Sequence, residues 1–459
     1  MRIAILCHLH HPIAEPFQGG TESHTALLAD ELVRRGHDVT LFAKEGSRTA
    51  ATVHPLVPSD FEFAFAASPL VRQQQQGFLA EASLHSIELI EQGGFDAVIN
   101  NSLSSLPYRR LRELPMMTVL HTPPTLTDVN AILDAPGWSP SPLHSYVTVS
   151  ETNARAWLPR LPQVVCVPNG IPLERWAVDG AREPGVAVWA ARITPEKGLH
   201  IAISAARAAG FRLRIAGPIA DPRYFADEIE PQLAAGDVEY VGHLGHDELP
   251  AFYAAAQVFV ASPVWEEPFG LSVVEALASG TPVATLPNGA VPELVSAASG
   301  PAAGAVAADD SATALAVAIR EASLITPVAA RARAARYSLE RMIDAYEDEL
   351  LRLVERASVA LGVGEPDARG ERAGHAADAP VLVDAVGRGE RRLIPVGGRD
   401  GRGVAGGLLR RRRRAEPALV EGERQHRSTL ADLLQHQGGA GEEDLVGDIH
   451  SAQPRGELA

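Results

Sequence analysis

Cysteine is nearly absent: Cys7 and Cys166 are the only two in 459 residues. Both fall in apolar, strand-like runs, so a disulfide framework is excluded and buried free thiols are expected. No apolar run approaches about 18 residues, which excludes a membrane-spanning helix. Positive charge is also short, with 41 Lys and Arg against 57 Asp and Glu and a formal net charge of −16. Such a surface does not attract nucleic acid by default. It also weakens docking on anionic lipid, although peripheral membrane contact stays open. The run Arg410 to Arg414 is an exception, but its surroundings are too poor in apolar residues to fold, and it reads as solvated. The start, Met1-Arg2-Ile3-Ala4-Ile5-Leu6, enters a strand directly, without the basic and apolar regions of a signal peptide. The expected location is the cytoplasm.

What the chain has in abundance is alternation. Apolar runs at Ile3–Cys7, Val39–Phe42, Ala97–Ile99, Met116–Leu120 and Tyr146–Val149 read as strands of a buried, mostly parallel sheet. Helical periods separate them. In Ser23–Arg35 the apolar positions Ala26, Leu27, Ala29, Leu32 and Val33 share a face, and Gly36 closes the run. The tract Gln73–Gln76 lies in such a period and reads as a solvent-facing helix. A polar, turn-rich passage, Trp176–Gly185, interrupts the series. It restarts with Val186–Ala190, Leu213–Ala216, Val238–Val241, Val258–Ala261 and Val283–Leu286. The fold class is therefore α/β, with two doubly wound, Rossmann-like domains facing a cleft. The expected boundaries are 1–170 for the first domain, 171–185 for a linker and 186–337 for the second domain. Residues 338–357 read as a helix with Leu339, Ile343, Tyr346, Leu350, Leu351 and Val354 on one stripe. From 358 to 459 the pattern collapses into Gly, Ala, Arg, Asp and Glu, and disorder is expected.

Three stretches carry chemistry. In Trp265-Glu266-Glu267-Pro268-Phe269-Gly270-Leu271-Ser272-Val273-Val274-Glu275, two carboxylates, Glu267 and Glu275, stand eight positions apart across a loop-to-helix transition. The loop delivers Glu267, and Glu275 is expected in the opening turn of the helix. Free N–H groups at a helix start favour phosphate. Carboxylates beside them accept hydrogen bonds from sugar or ribose hydroxyls. The pair alone is a weak signal, because 57 acidic residues produce many such spacings on a solvated surface. The second stretch, Gln18-Gly19-Gly20-Thr21-Glu22, follows the first strand, and its glycines let the backbone approach a diphosphate. Two glycines by themselves also make an ordinary turn. The fingerprint Gly-x-Gly-x-x-Gly is missing here, which counts against a nicotinamide oxidoreductase. The third stretch, Ala190-Ala191-Arg192-Ile193-Thr194-Pro195-Glu196-Lys197-Gly198, opens the second domain after its first strand. It offers phosphate a planar fork and a point charge, with plain surface solvation as the bland alternative. Together the three point to a ligand carrying both phosphate and polyol, a nucleotide sugar.

The whole frame, Glu-Pro-Phe-Gly-Leu…Glu-Ala…Ser-Gly-Thr-Pro-Val with Arg-x4-Lys-Gly and Gly-Gly-Thr-Glu, resembles retaining glycosyltransferases of family 4, which have the two-domain GT-B fold. Trp265 to Leu271, Ile215-Ala216-Gly217-Pro218 and Asp221-Pro222-Arg223-Tyr224-Phe225 look most similar to the subgroup containing the avilamycin-pathway glycosyltransferase. The resemblance covers roughly residues 1–357. It implies an acceptor-side first domain, a donor-binding second domain, and a helix at 338–357 that crosses back to the first. It implies His121 and Glu267 at the catalytic centre, with His121 holding a donor-sugar hydroxyl near the anomeric carbon. Gly19, Gly20, Arg192 and Lys197 would meet the diphosphate. Backbone groups around Phe269, Gly270, Leu271 and Ser272 would meet sugar hydroxyl and phosphate oxygens. Glu275 would hold the ribose, and the Leu244 backbone would meet the base. Ala191 stands where the family often has glycine. Neither cofactor nor metal is implied. His8, His10 and His11 lack a partner motif with ligand spacing and read as structural or acceptor-side. Asn169-Gly170 and Ser150-Glu151 also match the family, and a turn and a helix cap account for them.

The implied reaction moves a hexosyl group from a nucleoside diphosphate sugar to an acceptor hydroxyl, retaining anomeric configuration. UDP-glucose is the first expected donor and GDP-mannose the second. The acceptor, a small molecule or saccharide, is expected around His8–Phe17 and residues 60–85. Two other readings stay open: a nucleotide-sugar epimerase of the same fold, and a non-catalytic nucleotide-sugar-binding subunit. The Arg-x4-Lys-Gly and Glu-Pro-Phe-Gly frame speaks against the epimerase. The intact set His121, Arg192, Lys197, Glu267 and Glu275 speaks against degeneration to a binding subunit.

Overall fold

The computed structural model describes residues 1–63, 68–178, 180–297 and 301–360. Most of the expected disordered tail, 361–459 with Arg410 to Arg414, lies outside the described residues. Seven parallel strands form the first sheet: β1 (Arg2–Cys7), β2 (Asp38–Lys44), β3 (Thr52–Val57), β4 (Ala97–Asn101), β5 (Met116–Leu120), β6 (His144–Thr148) and β7 (Val165–Cys166), in the order β3-β2-β1-β4-β5-β6-β7. Six form the second: β8 (Glu183–Ala190), β9 (Arg212–Ala216), β10 (Val238–Tyr240), β11 (Ala256–Ala261), β12 (Val283–Thr285) and β13 (Gly304–Val306), in the order β10-β9-β8-β11-β12-β13. Every residue of β4, β5 and β6 is buried. Helices cover both faces, so these strands are buried throughout rather than alternating, and their polar members Asn100, Asn101, Thr118, His144, Ser145 and Thr148 are buried with the rest.

Chain order reverses beside the first strand of each sheet, because β1 lies between β2 and β4, and β8 between β9 and β11. Ligands of doubly wound sheets bind beyond the carboxyl ends of the strands at such a reversal. The chain here places His8 after β1, His121 after β5, Arg192 after β8, Gly217 after β9 and Ser262 after β11. Gly217 marks how tightly those loops are folded: it has φ +140°, and an added Cβ would lie 1.9 Å from the carbonyl oxygen of Ala191. The loop before Arg192 is therefore closed against a glycine supplied from the next strand rather than by one at position 191.

Three strands depart from the expected set. β3 is half-exposed with a Pro at position 55, β7 is two residues long, and β13 consists of Gly304, Ala305 and Val306. β8 begins at Glu183, inside the span expected to be linker, so the connection is shorter than 171–185. Trp176, the first residue of the passage read as polar and turn-rich, is buried with its ring 6.0 Å from that of Tyr253. Both cysteines are free, but only Cys7 is buried and Cys166 is half-buried. Gln73–Gln76 lie in the helix Pro69–Gly93.

The helix Leu339–Ala360 runs three residues beyond the expected end at 357. It packs on the first domain, against β5, β6 and the helix Gly20–Arg34. Its residues Ile343, Tyr346, Leu350 and Leu353 are fully buried, and the three aliphatic ones each contribute about 1.5–3 kcal/mol relative to exposure. Polar ties fix its register: Ser145 Oγ donates to Glu349 at 2.6 Å, and Arg35 donates to Glu347 and Asp344, each at 2.6 Å. The two passages between domains run side by side at the bridge between Ile171 and Ser338. Gly170 is required there, because an added Cβ would lie 2.4 Å from the Ser338 carbonyl oxygen.

Candidate active site

All residues singled out for catalysis and donor binding line one cleft of about 530 Å³ between the two sheets. On the first-domain side the helix Gly20–Arg34 starts behind Gly19, which is extended and gives no side-chain cap. Its first N–H groups are left for a ligand, as at any uncapped helix start. On the opposite side the helix Leu271–Ala278 starts behind Gly270, at φ +101° and also without a side-chain cap. The two starts approach closely: a Cβ on Gly20 would lie 3.1 Å from Cδ1 of Leu271. Two partial positive charges thus converge on one space from opposite domains. Phe269 contributes backbone only, since its ring is buried against Tyr337 at 5.8 Å.

Arg192 is exposed in the cleft, whereas Lys197 is held. Its Nζ donates to Glu267 Oε2 at 2.5 Å and sits 5.1 Å from the centre of the Trp265 ring. Trp265 Nε1 donates to the same oxygen at 2.9 Å. Glu267 Oε2 is therefore doubly engaged, leaving Oε1 for an incoming hydroxyl. Backbone geometry fixes both partners. Gly198, at φ +66°, lies so close to Ser262 that a Cβ would be 2.0 Å from its carbonyl oxygen, and Ser262 Oγ donates to the Lys197 carbonyl at 3.0 Å. Gly289, at φ +63°, lets Ala290 N donate to the Glu267 carbonyl at 2.8 Å.

Glu275 falls in the second turn of its helix rather than the first, being the fifth residue of Leu271–Ala278. It is 8% exposed and accepts from the Tyr253 hydroxyl at 3.2 Å. Burial pushes its carboxyl up to about 7, against the opposing pull of Tyr253 and Arg175. His121 follows β5 directly, is 7% exposed, and packs edge-on against His24 at 4.8 Å. Burial, then the nearby His24 and His8, pushes its imidazole well below the ordinary range, and its Nε2 has no partner among the described residues. It is therefore a neutral ring with a free nitrogen beside the cleft. Leu244 lines the cleft beyond β10 together with Gly217 and Pro218.

Several lining residues were not visible as functional in the sequence. Tyr253, Trp265 and Glu22 reach the site through contacts with positions the chain brings together only on folding. Trp265 and Glu22 lay inside recognised stretches without being singled out, and Tyr253 lay outside them. Asn169 also lines the cleft, while its neighbour Gly170 donates to Met342 Sδ at 3.0 Å in the expected turn. Ser150 caps the helix Glu151–Trp157, accepting from Asn153 N at 3.0 Å. Among the described residues no group of three His, Cys, Asp or Glu is placed to hold a metal ion, and no single helix is long and apolar enough to cross a membrane.

Two family models match in tandem: Glycosyltransferase Family 4 over residues 18–175 and Glycosyl transferases group 1 over residues 173–339. A glycogen synthase of Mycobacterium tuberculosis is 34% identical over 145 residues, covering 30% of this chain and 35% of that relative. The chain therefore matches about a third of that protein's length. The D-inositol 3-phosphate glycosyltransferase of Mycolicibacterium smegmatis is 26% identical over 341 residues, covering 64% of this chain and 77% of that one. Among solved structures, AviGT4, involved in Avilamycin A biosynthesis, aligns with TM-score 0.55 at 21% identity, over 77% of this chain and 98% of that one. Anabaena HepE in complex with UDP-glucose aligns with TM-score 0.57 at 19% identity, over 77% and 100%. At these identities structural likeness shows the fold, which is GT-B. Residues 18–339, well over half of the chain, belong to the glycosyltransferases, a Family 4 domain followed by a group 1 domain.

Proposed function

We propose that the protein transfers a hexosyl group from a nucleoside diphosphate sugar to an acceptor hydroxyl with retention of configuration, in the manner of the avilamycin-pathway subgroup. The observation that carries this is the convergence of two uncapped helix starts, at Gly20 and Leu271, on the space shared by Arg192, Lys197 and the buried Glu275. A diphosphate fits the first four, and ribose hydroxyls fit the fifth. The bond between the anomeric carbon and the diphosphate oxygen breaks, and the bond to the acceptor oxygen forms on the same face. The acceptor proton passes to the departing phosphate oxygen. Charge that builds on the diphosphate is met by Arg192, Lys197 and the two helix starts, which are in place before reaction and need not reorganise. Glu267 is not assigned as nucleophile, because Lys197 and Trp265 hold its Oε2. Its Oε1 instead accepts from a donor-sugar hydroxyl, with the neutral His121 on the other flank.

UDP-glucose is the donor we favour, the ligand named for the HepE complex, with GDP-mannose second. Calorimetric titration of the full chain with UDP, GDP and ADP tests this. A clear preference for UDP is expected, and binding of none at millimolar concentration overturns the donor site. His121→Ala is expected to leave UDP affinity within about twofold while lowering turnover on the order of a hundredfold. A matching loss of UDP affinity would remove His121 from the sugar.

A further inference from the structure

Two loops from opposite domains meet at one end of the cleft. The loop after β1 carries Glu15, Pro16 and Phe17, and the loop after β10 carries His246 and Asp247. Phe17 and His246 both line the cleft, with their ring centres 5.5 Å apart. Arg175 ties the two loops together from the short helix Leu173–Trp176, in the passage between domains. Its Nη1 donates to Glu15 Oε1 at 2.9 Å, and its Nη2 donates to Glu15 Oε2 at 3.3 Å and to Asp247 Oδ1 at 3.0 Å. His246 Nδ1 lies 3.2 Å from Glu15 Oε1. The hydrogen bond from Arg175 holds the Glu15 carboxyl below its usual range, against the opposing effect of burial. A first-domain loop is thus strapped to the second domain immediately beside Phe17.

The place of this strap along the cleft follows from its neighbours. In the donor reading, phosphate lies at Arg192, Lys197 and the two helix starts, and ribose lies at Glu275. A series of rings continues from there. Glu275 accepts from Tyr253, the Tyr253 ring lies 6.0 Å from that of Trp176, and the Trp176 ring lies 5.8 Å from that of His246. Trp176 is buried, whereas Tyr253, His246 and Phe17 line the cleft, and Leu244 and Leu249 add apolar surface to the same lining. Beyond the ribose of a nucleotide, on the side away from phosphate, comes the base. A base is flat and has two π faces, which aromatic side chains take by stacking.

Resting on the glycosyltransferase reading, we propose that Phe17, supplied by the first domain, packs on the base of the donor nucleotide across the cleft from Leu244, and that Glu15 and Arg175 are positioning residues that hold Phe17 there. Nucleotide affinity then depends on a ring outside the donor-binding domain. An exposed ion pair contributes little by itself; this one acts through the ring it places. The charge of Arg175 also reaches Glu275, so Glu15 is the residue whose replacement isolates the strap from the ribose contact.

The test measures calorimetric affinities of the full chain for UDP and for ribose 5-diphosphate, which is UDP without its base. Phe17→Ala is expected to weaken UDP about tenfold and to leave ribose 5-diphosphate within about twofold. Phe17→Trp, which keeps a ring, is expected to hold UDP within about threefold of the parent. Glu15→Ala is expected to weaken UDP about threefold by itself and to add nothing in the Phe17→Ala background, where the strap has no ring to place. A merely structural role for Phe17, two residues before Gly19, would weaken both ligands alike. Unchanged UDP affinity in Phe17→Ala, an equal loss for the two ligands, or a Glu15→Ala loss that persists in full beside Phe17→Ala overturns the proposal. The donor reading is judged separately on the parent chain. Binding of neither ligand sinks that reading itself, whereas equal affinity for both keeps its diphosphate and ribose contacts and removes only the contact to the base.

Discussion

Replacing Glu275 by Gln is expected to make the protein more stable and a poorer nucleotide binder, with both effects depending on pH. The carboxyl is buried and raised from 4.5 to about 7. A carboxyl that holds its proton more tightly when folded favours folding at low pH, and that contribution is lost as pH rises from about 4.5 through 7. Above pH 7 the native protein must keep a buried charge that Tyr253 and Arg175 offset only in part. The amide introduced by Glu275→Gln would carry no charge and could still accept from the Tyr253 hydroxyl. The variant should therefore match the parent near pH 4.5 and exceed it at pH 8, by up to about 3 kcal/mol from the size of the shift. Thermal midpoints at the two pH values measure this. Nucleotide binding should move the opposite way. Ribose hydroxyls donate more strongly to a carboxylate than to an amide, so the substitution should weaken UDP about tenfold at pH 8. Parent affinity should fall as pH drops below 7, while the variant's affinity stays flat. A stability difference that is equal at both pH values would mean that Glu275 is not protonated in the free site.

Lys197→Ala is expected to reduce kcat/KM for the donor on the order of a thousandfold, among the largest effects of any single change in the cleft. In the proposed reaction the side chain would supply a point charge where the departing diphosphate gains charge. It also compensates Glu267, which is only 14% exposed and 2.5 Å away. Truncation therefore removes one favourable charge and leaves the opposite one beside an anionic leaving group. Lys197→Arg should recover little. Gly198 and Ser262 fix the backbone there, and a planar fork cannot occupy the slot between the Trp265 ring and Glu267 as a compact ammonium does. Transfer rates at saturating acceptor measure the effect. A loss smaller than about tenfold would place Lys197 outside the diphosphate contact.

The two sheets were readable because their central strands are buried on both faces and so appear as short runs rich in apolar residues. Strand ends were not, since β1, β2 and β8 begin with Arg2, Asp38 and Glu183 at exposed sheet margins. β13 was invisible for another reason. Position 304 needs glycine, because a Cβ would lie 2.2 Å from the Val283 carbonyl oxygen, and a Gly-Ala pair carries no strand signal. The second-domain lining of the cleft was readable because Arg192, Lys197 and Glu267 to Glu275 each lie in a loop directly after a strand or at a helix start, where spacing is local. The Glu275–Tyr253 and His8–Glu22 pairs were not. Each joins residues 22 and 14 positions apart on different elements, and only packing decides that they meet. The placement of Glu275 one turn deeper than expected is what buries it and gives it its raised pKa.

The side-by-side crossing at Ile171 and Ser338 has a consequence for how the protein is made. The first sheet is synthesised before any of the second domain. Yet the surface of β5, β6 and the helix Gly20–Arg34 stays uncovered until Tyr346, Leu350 and Leu353 leave the ribosome. The second domain, from β8 through β13, has all its own strands by residue 306. During translation the domain begun first is thus finished last, and a nascent chain stalled between residues 306 and 339 would display a fresh apolar face for chaperones to occupy.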